Sequence, residues 1–165
     1  MYKWYYMENV PKNILVKQVY GIVFSDDGKV VLRVENGKYK LTGGRPEKED
    51  NSLEDTLKRE YLEELNIEIR DIKYLGYLLV CEGNEKYAQV RMIAKINKIG
   101  DNRSDLDNGK IYKRFMSSQV SVKKYLKYED LAGNKMIDDA LDLANKNYNF
   151  NIIDDDEYFI NDIMN

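Results

Sequence analysis

Histidine is absent from the 165 residues, and cysteine occurs once, at Cys81. Without an imidazole there is no Ser-His-Asp or Cys-His arrangement, no His-ligated zinc and no histidine base. A lone cysteine forms no intramolecular disulfide, which fits a reducing compartment. With 2 prolines and 10 glycines, the chain is neither collagen-like nor a low-complexity tract. No run approaches the roughly 18–20 apolar residues that cross a bilayer. Residues 1–11 (MYKWYYMENVP) lack a basic segment followed by an apolar one, so they do not read as a signal peptide, and a cytoplasmic protein with no membrane partner is expected. A basic excess is missing too. Lys and Arg number 26 against 29 Asp and Glu, a net charge of -3, which gives no electrostatic case for nucleic acid. Chemistry at neutral pH must come from carboxylates, lysine, tyrosine or a bound cation.

What is present is 43% hydrophobic and 33% charged, a balance suited to one folded core, and the length argues for a single domain over residues 1–165. Residues 16–24 are β-branched and aromatic and end at Asp27-Gly28, a hairpin signal, with residues 29–34 as the return strand. Asn36-Gly37 is a second such turn, before residues 38–41. Residues 67–81 and 87–96 read as further strands around a loop at 82–85, and residues 100–110 are a polar, turn-rich insertion. Met136, Ile137, Ala140, Leu141 and Ala144 make one helical face. The order predicts an α+β sandwich around a mixed β-sheet, followed by an acidic, aromatic extension over 146–165. Trp4 and Tyr5 read as packing residues, and Cys81 as a small buried hydrophobe.

Between the strands, a helix is predicted over 52–65. Ser52 is a good N-cap with Asp55 three residues on, and Leu53, Leu57, Tyr61 and Leu65 form its apolar stripe. Asn66 suits a left-handed C-cap. The polar side is costly: Glu60, Glu63 and Glu64 sit at i, i+3 and i+4, where like charges repel, and in the last turn, where the macrodipole disfavours anions. A solvated acidic face is the ordinary reading of three glutamates. Here Arg59 stands four residues before Glu63, Gly43-Gly44 lies just upstream, and Glu47 and Asp50 add carboxylates between them. A hard divalent cation would remove the repulsion.

Gly43-Gly44-Arg45-Pro46-Glu47, followed by Arg59-Glu60-Tyr61-Leu62-Glu63-Glu64-Leu65-Asn66-Ile67, resembles the Nudix box, G-x5-E-x7-R-E-U-x-E-E-x-G-U. Two features depart from it. One extra residue separates Gly44 from Arg59, so either Asp50 replaces the box glutamate or Asn51 occupies that register, and Asn66 stands for the closing glycine. The resemblance implies a Nudix-type α/β/α sandwich, with a core over about 14–145, and hydrolysis of a pyrophosphate joining a nucleoside to a further group X. It implies Mg2+ or Mn2+ held by Glu60, Glu63, Glu64 and the Gly43 carbonyl, with a catalytic set of Glu63, Glu64 and Arg59 in which Arg59 orients the glutamates. It also implies a small nucleoside diphosphate derivative as partner and a homodimer as a family-level expectation.

The general base stays open among Glu63, Glu82, Glu85 and Glu47. Arg33 and Gly44 are candidates to bind substrate, Arg33 equally as a surface strand residue. Lys110, Tyr112, Lys113 and Arg114 border the nucleotide site or form an ordinary charged loop, and Tyr39 or another of the 14 tyrosines can stack a base. Arg91 reads as structural, paired with an acid across the sheet. Residues 81–84 lack the proline or tyrosine that mark some Nudix subclasses, which leaves nucleotide sugars, nucleoside triphosphates and oxidised nucleotides open. The alternative is a Nudix-fold nucleotide-binding or sensor module without hydrolysis.

Overall fold

The structure is a computed structural model that describes residues 1–160. Its sheet orders the strands β1 (Tyr2–Tyr6), β6 (Ile67–Glu82), β7 (Glu85–Ile99), β2 (Leu15–Phe24), β3 (Val30–Glu35), β8 (Lys113–Ser117) and β9 (Tyr158–Phe159), with β4 (Lys38–Lys40) on β3 and β5 (Gly43–Gly44) on β2. β2 runs parallel to β7, and the other pairs are antiparallel, so the sheet is mixed as expected. Asn36 and Gly37 both take positive φ, which a two-residue turn between β3 and β4 requires.

β2 and β3 share only the Phe24–Val30 pair beside their turn. Farther along, the edge of β2 is taken by β5, with Val19 opposite Gly44 and Tyr20 opposite Gly43. The sheet therefore forks between β2 and β3, and the candidate site lies at the fork.

Alternation along the strands sends side chains to two cores. Val19, Val23, Val31, Val90 and Met92 pack on one face against Leu57, Tyr61 and Leu65 of α1 (Leu53–Leu65). Ile22, Phe24, Val30, Leu32 and Ile93 face Met136, Ile137, Ala140 and Ala144 of α3 (Leu131–Asn147). Each buried α1 apolar side chain stabilises the fold by on the order of 1.5–3 kcal/mol. A short α2 (Val122–Leu126) packs near β4. Among the described residues, no helix is long and apolar enough to cross a membrane.

α1 keeps its expected limits. Ser52 accepts from the Asp55 amide at 3.1 Å, and Asn66 adopts the left-handed conformation. α3 starts earlier than its apolar face indicates, because Asp130 caps it by accepting from the Gly133 amide at 2.6 Å. β1, β8, α2 and β9 have no strong pattern in sequence and are added by tertiary pairing. Trp4 and Tyr5 do pack: Trp4 donates to Asp139 Oδ2 at 2.8 Å, and Tyr5 stacks on Tyr77. Cys81 is only half-buried. The insertion at 100–110 has no helix or strand and turns around Asp105, whose Oδ1 accepts from the Asp107 amide at 2.7 Å. The C-terminal extension returns to the sheet as β9, and Glu157 accepts from the Ser118 amide and the Tyr125 hydroxyl. Residues 161–165 of that extension lie outside the described residues.

Candidate active site

α1 carries the acidic cluster because its apolar stripe is anchored on the other side: Tyr61, fully buried, donates to the Gly21 carbonyl at 3.1 Å. Burial pushes the Tyr61 hydroxyl far up in pKa, so it stays a neutral donor. The polar face of the helix then meets β5. A Cβ on Gly44 would fall on the Glu60 carboxylate, so only glycine lets Glu60 lie there, and a Cβ on Gly43 would fall on the Val19 carbonyl oxygen.

That difference predicts two outcomes for alanine. Gly44→Ala displaces the end of a flexible side chain and should leave melting within a few degrees of wild type, while turnover falls about tenfold or more through Glu60. Gly43→Ala collides with backbone and should lower stability by about 2 kcal/mol or more. Thermal melting and steady-state rates of the two variants check this, and equal melting of both would overturn it.

Arg59 is the hub. Its Nε and Nη2 bond the two oxygens of Asp50 at 3.1 and 3.0 Å, Nη1 reaches Glu60 at 3.0 Å, Glu63 at 3.3 Å and Glu47 at 3.4 Å, and Nη2 also donates to the Arg45 carbonyl. Of the two candidates for the upstream acid, Asp50 makes this contact. It also accepts from Thr56 Oγ1 and the Glu47 amide, and Arg59 together with these donors holds its carboxyl well below the usual range. Asn51 instead donates its amide to Asp55 at the start of α1.

Arg33 takes the remaining glutamate, with Nη1 2.8 Å from Glu64 Oε1 and the guanidinium over the Tyr112 ring at 4.6 Å. Burial pushes Glu60 and Glu64 up to about 7, against the pull of Arg59 and Arg33, and also raises Glu63. Asp105, itself buried, adds to all three shifts. Sequence reasoning missed Asp105: it sits in an aperiodic loop, and nothing local marks it.

Among the described residues, no three acidic side chains form a ready-made metal cage; the arginines tie them instead. The donor set still suits a hard cation. It consists of carboxylate oxygens, they are desolvated, and Glu64 Oε2 is buried without a hydrogen-bond partner among the described residues.

The other sequence candidates divide. Glu47 lies at the cluster through Arg59, whereas Glu82 and Glu85 face each other at the β6–β7 turn, where Glu85 binds Lys17. Lys110 pairs with Glu35 at 3.2 Å, and Lys113 lies by the Phe159 ring. Arg114 does not border an open site: it is fully buried and donates to the carbonyls of Leu65 and Gly100 at 3.0 and 2.7 Å. It thus supplies the positive charge at the C-terminal end of α1, whose last turn holds no basic residue. Arg91 is buried, but Tyr20, Gln89 and Tyr128 surround it rather than an acid.

On the α2 side of the fork lies a cavity of about 750 Å3, lined among others by Tyr20, Tyr39, Tyr125 and Tyr128 and by Arg33, which reaches Glu64. Among the described residues, its cations are Arg33, Lys38, Lys40, Arg91 and Lys127, and no acidic side chain lines it.

A model of the NUDIX domain matches residues 15–131. A search of curated protein sequences gave no match. Among solved structures, the chain is similar to the Bacillus subtilis pyrophosphohydrolase BsRppH, with 20% identity, 89% of this chain and 92% of that chain covered, and a TM-score of 0.66. It is also similar to a NUDIX hydrolase from Nitrosomonas europaea (21% identity, 85% and 96% covered, TM-score 0.60). A MutT structure from work on Aliivibrio salmonicida and Vibrio cholerae is similar at 15% identity, with 77% and 96% covered and a TM-score of 0.56. These structural likenesses carry the fold; the domain match over most of the chain carries the family, and the protein belongs to the NUDIX domain family.

Proposed function

We propose that the protein hydrolyses the pyrophosphate bond of a nucleoside diphosphate joined to a further group X, in the cytoplasm, with Mg2+ or Mn2+ held by Glu60, Glu63, Glu64 and the Gly43 carbonyl. The observation that supports this most is the desolvated trio on α1, with Glu64 Oε2 buried and unbonded, next to a cavity lined by cations and tyrosines. A bound divalent ion would neutralise phosphoryl oxygens and acidify water. The chain's own residues do the rest. Arg59 fixes the spacing of Glu60 and Glu63 against Asp50, and Arg33, between Glu64 and the cavity, meets the phosphates entering from that side. Glu63 or Glu47 accepts the proton of the attacking water, since no histidine exists to do so. The tyrosines of the cavity offer faces for a base.

The test is product release from a panel of nucleoside diphosphate-X compounds with Mg2+, with Mn2+ and with chelator. Metal-dependent cleavage is expected; binding without cleavage across the panel would favour the sensor alternative.

A pH dependence follows from the raised carboxyls. Glu60 and Glu64 titrate near 7 when folded and near 4.5 when unfolded. The folded state therefore holds the extra protons between those values, and stability falls as pH rises through them. In chelator, the melting temperature should fall from pH 5 to pH 8. With Mg2+ the fall should flatten, because the cation binds the ionised form. A flat profile in chelator would contradict the burial of these groups.

A further inference from the structure

We infer that Arg91 forms a second anion site, so that the preferred substrate carries a phosphate on its sugar, at the 2′ or 3′ position, besides the pyrophosphate. Arg91 stands on β7 opposite Tyr20 of β2 and is 4% exposed. Its guanidinium lies 4.6 Å from the centre of the Tyr20 ring. Its hydrogen bonds are long or go to neutral groups: the Gln89 carbonyl at 3.5 Å, Gln89 Oε1 at 3.4 Å and the Tyr128 hydroxyl. Nε has no partner. Burial lowers its pKa, yet an arginine remains charged at neutral pH.

A buried cation without an anion is costly to maintain. The other arginines with little exposed surface are answered: Arg33 by Glu64, Arg59 by Asp50, and Arg114 by two carbonyls at the end of α1. Arg91 instead lines the cavity, whose lining among the described residues includes no carboxylate to serve it. The missing charge is therefore one that a ligand brings.

The position selects which part of the ligand. Arg33 joins the cavity to Glu64 and so marks its pyrophosphate end. Arg91 is held on Tyr20 and lines the same cavity, so a substrate with its pyrophosphate at the Arg33 end and its nucleoside in the cavity would bring a sugar phosphate to it. A phosphate on the sugar offers a guanidinium paired oxygens, and Lys40 and Lys127 line the same cavity.

This rests on the hydrolase reading, so binding and turnover are tested separately. Calorimetric titration compares AMP with adenosine 2′,5′-bisphosphate and adenosine 3′,5′-bisphosphate, on wild type, Arg91→Met and Arg91→Lys. One bisphosphate should bind wild type about tenfold or more tighter than AMP, the gain of a charge-assisted contact. That ratio should fall to within about twofold in Arg91→Met and be partly kept in Arg91→Lys. Unliganded Arg91→Met should melt at or above wild type, because an uncompensated charge is gone. Bisphosphates that bind no tighter than AMP, or a preference that survives Arg91→Met, would overturn the inference. For turnover, the kcat/KM ratios of NADP+ over NAD+ and of coenzyme A over dephospho-coenzyme A should show the same preference and the same collapse. Hydrolysis without any such preference overturns the second site alone, whereas a bisphosphate preference without any metal-dependent hydrolysis overturns the hydrolase reading.

Discussion

Replacing Glu64 by glutamine, or Glu60 in a separate variant, is expected to cut Mg2+-dependent pyrophosphate hydrolysis by on the order of 10³-fold, the scale of losing one preorganised charge contact at a phosphoryl centre. The same variants should melt within a few degrees of wild type in chelator, or above it. Both carboxyls are pushed up to about 7 by burial, so ionising them at neutral pH opposes folding, and a neutral amide removes that cost. The arginines keep a partner, since a glutamine oxygen can still accept from Arg33 or Arg59 where Glu64 Oε1 and Glu60 Oε1 now do, at 2.8 and 3.0 Å. Rate and stability should thus separate, and Mg2+ should raise the melting temperature of wild type more than that of either variant. Rates within a few-fold of wild type would remove Glu60 and Glu64 from the site. A large loss of stability in chelator would mean that they are structural anions instead.

α1 was legible in sequence because each of its signals is local. The cap at Ser52, the left-handed Asn66, the four-residue apolar stripe and the i, i+3, i+4 glutamates lie within fifteen residues, and their spacing places them without any tertiary knowledge. Asp50 stayed ambiguous against Asn51 because one inserted residue shifts the register, and only the side chain of Arg59 chooses between them.

The parts brought from afar were not legible. Arg33 meets Glu64 across 31 positions, and Asp105 reaches the cluster from a loop stabilised by its own turn. The cavity is assembled from β1, β2, β3, β4, β7 and the end of α2, and its charge balance belongs to no single segment. Arg91 shows the limit most clearly. A lone arginine in an alternating strand implies an acid opposite, but its register neighbours are Tyr20 and Gly76, and among the described residues no acidic side chain of its cavity answers it.

Arg59→Ala should combine the two losses that the glutamate variants keep apart. The side chain is about one-fifth exposed and binds Asp50 through two nitrogens, so its removal leaves Asp50 buried and ionised without its main partner and releases Glu60, Glu63 and Glu47 to repel one another. Breaking a fully buried pair from one side costs about 3–5 kcal/mol, and partial exposure reduces this to roughly 2–3 kcal/mol. For a chain of this size, that is a fall of roughly 5–10 °C in melting temperature. Turnover should drop about 10–100-fold, the scale of losing a residue that orients metal ligands. Arg59→Lys should recover little of either quantity, because an ammonium cannot span both oxygens of Asp50 while reaching Glu60 and Glu63. Asp50→Asn should lower stability less than Arg59→Ala, since the guanidinium keeps its other carboxylates. Full recovery by lysine would show that Arg59 contributes only charge, and an unchanged rate in Arg59→Ala would show that the spacing of Glu60 and Glu63 is set by the helix alone.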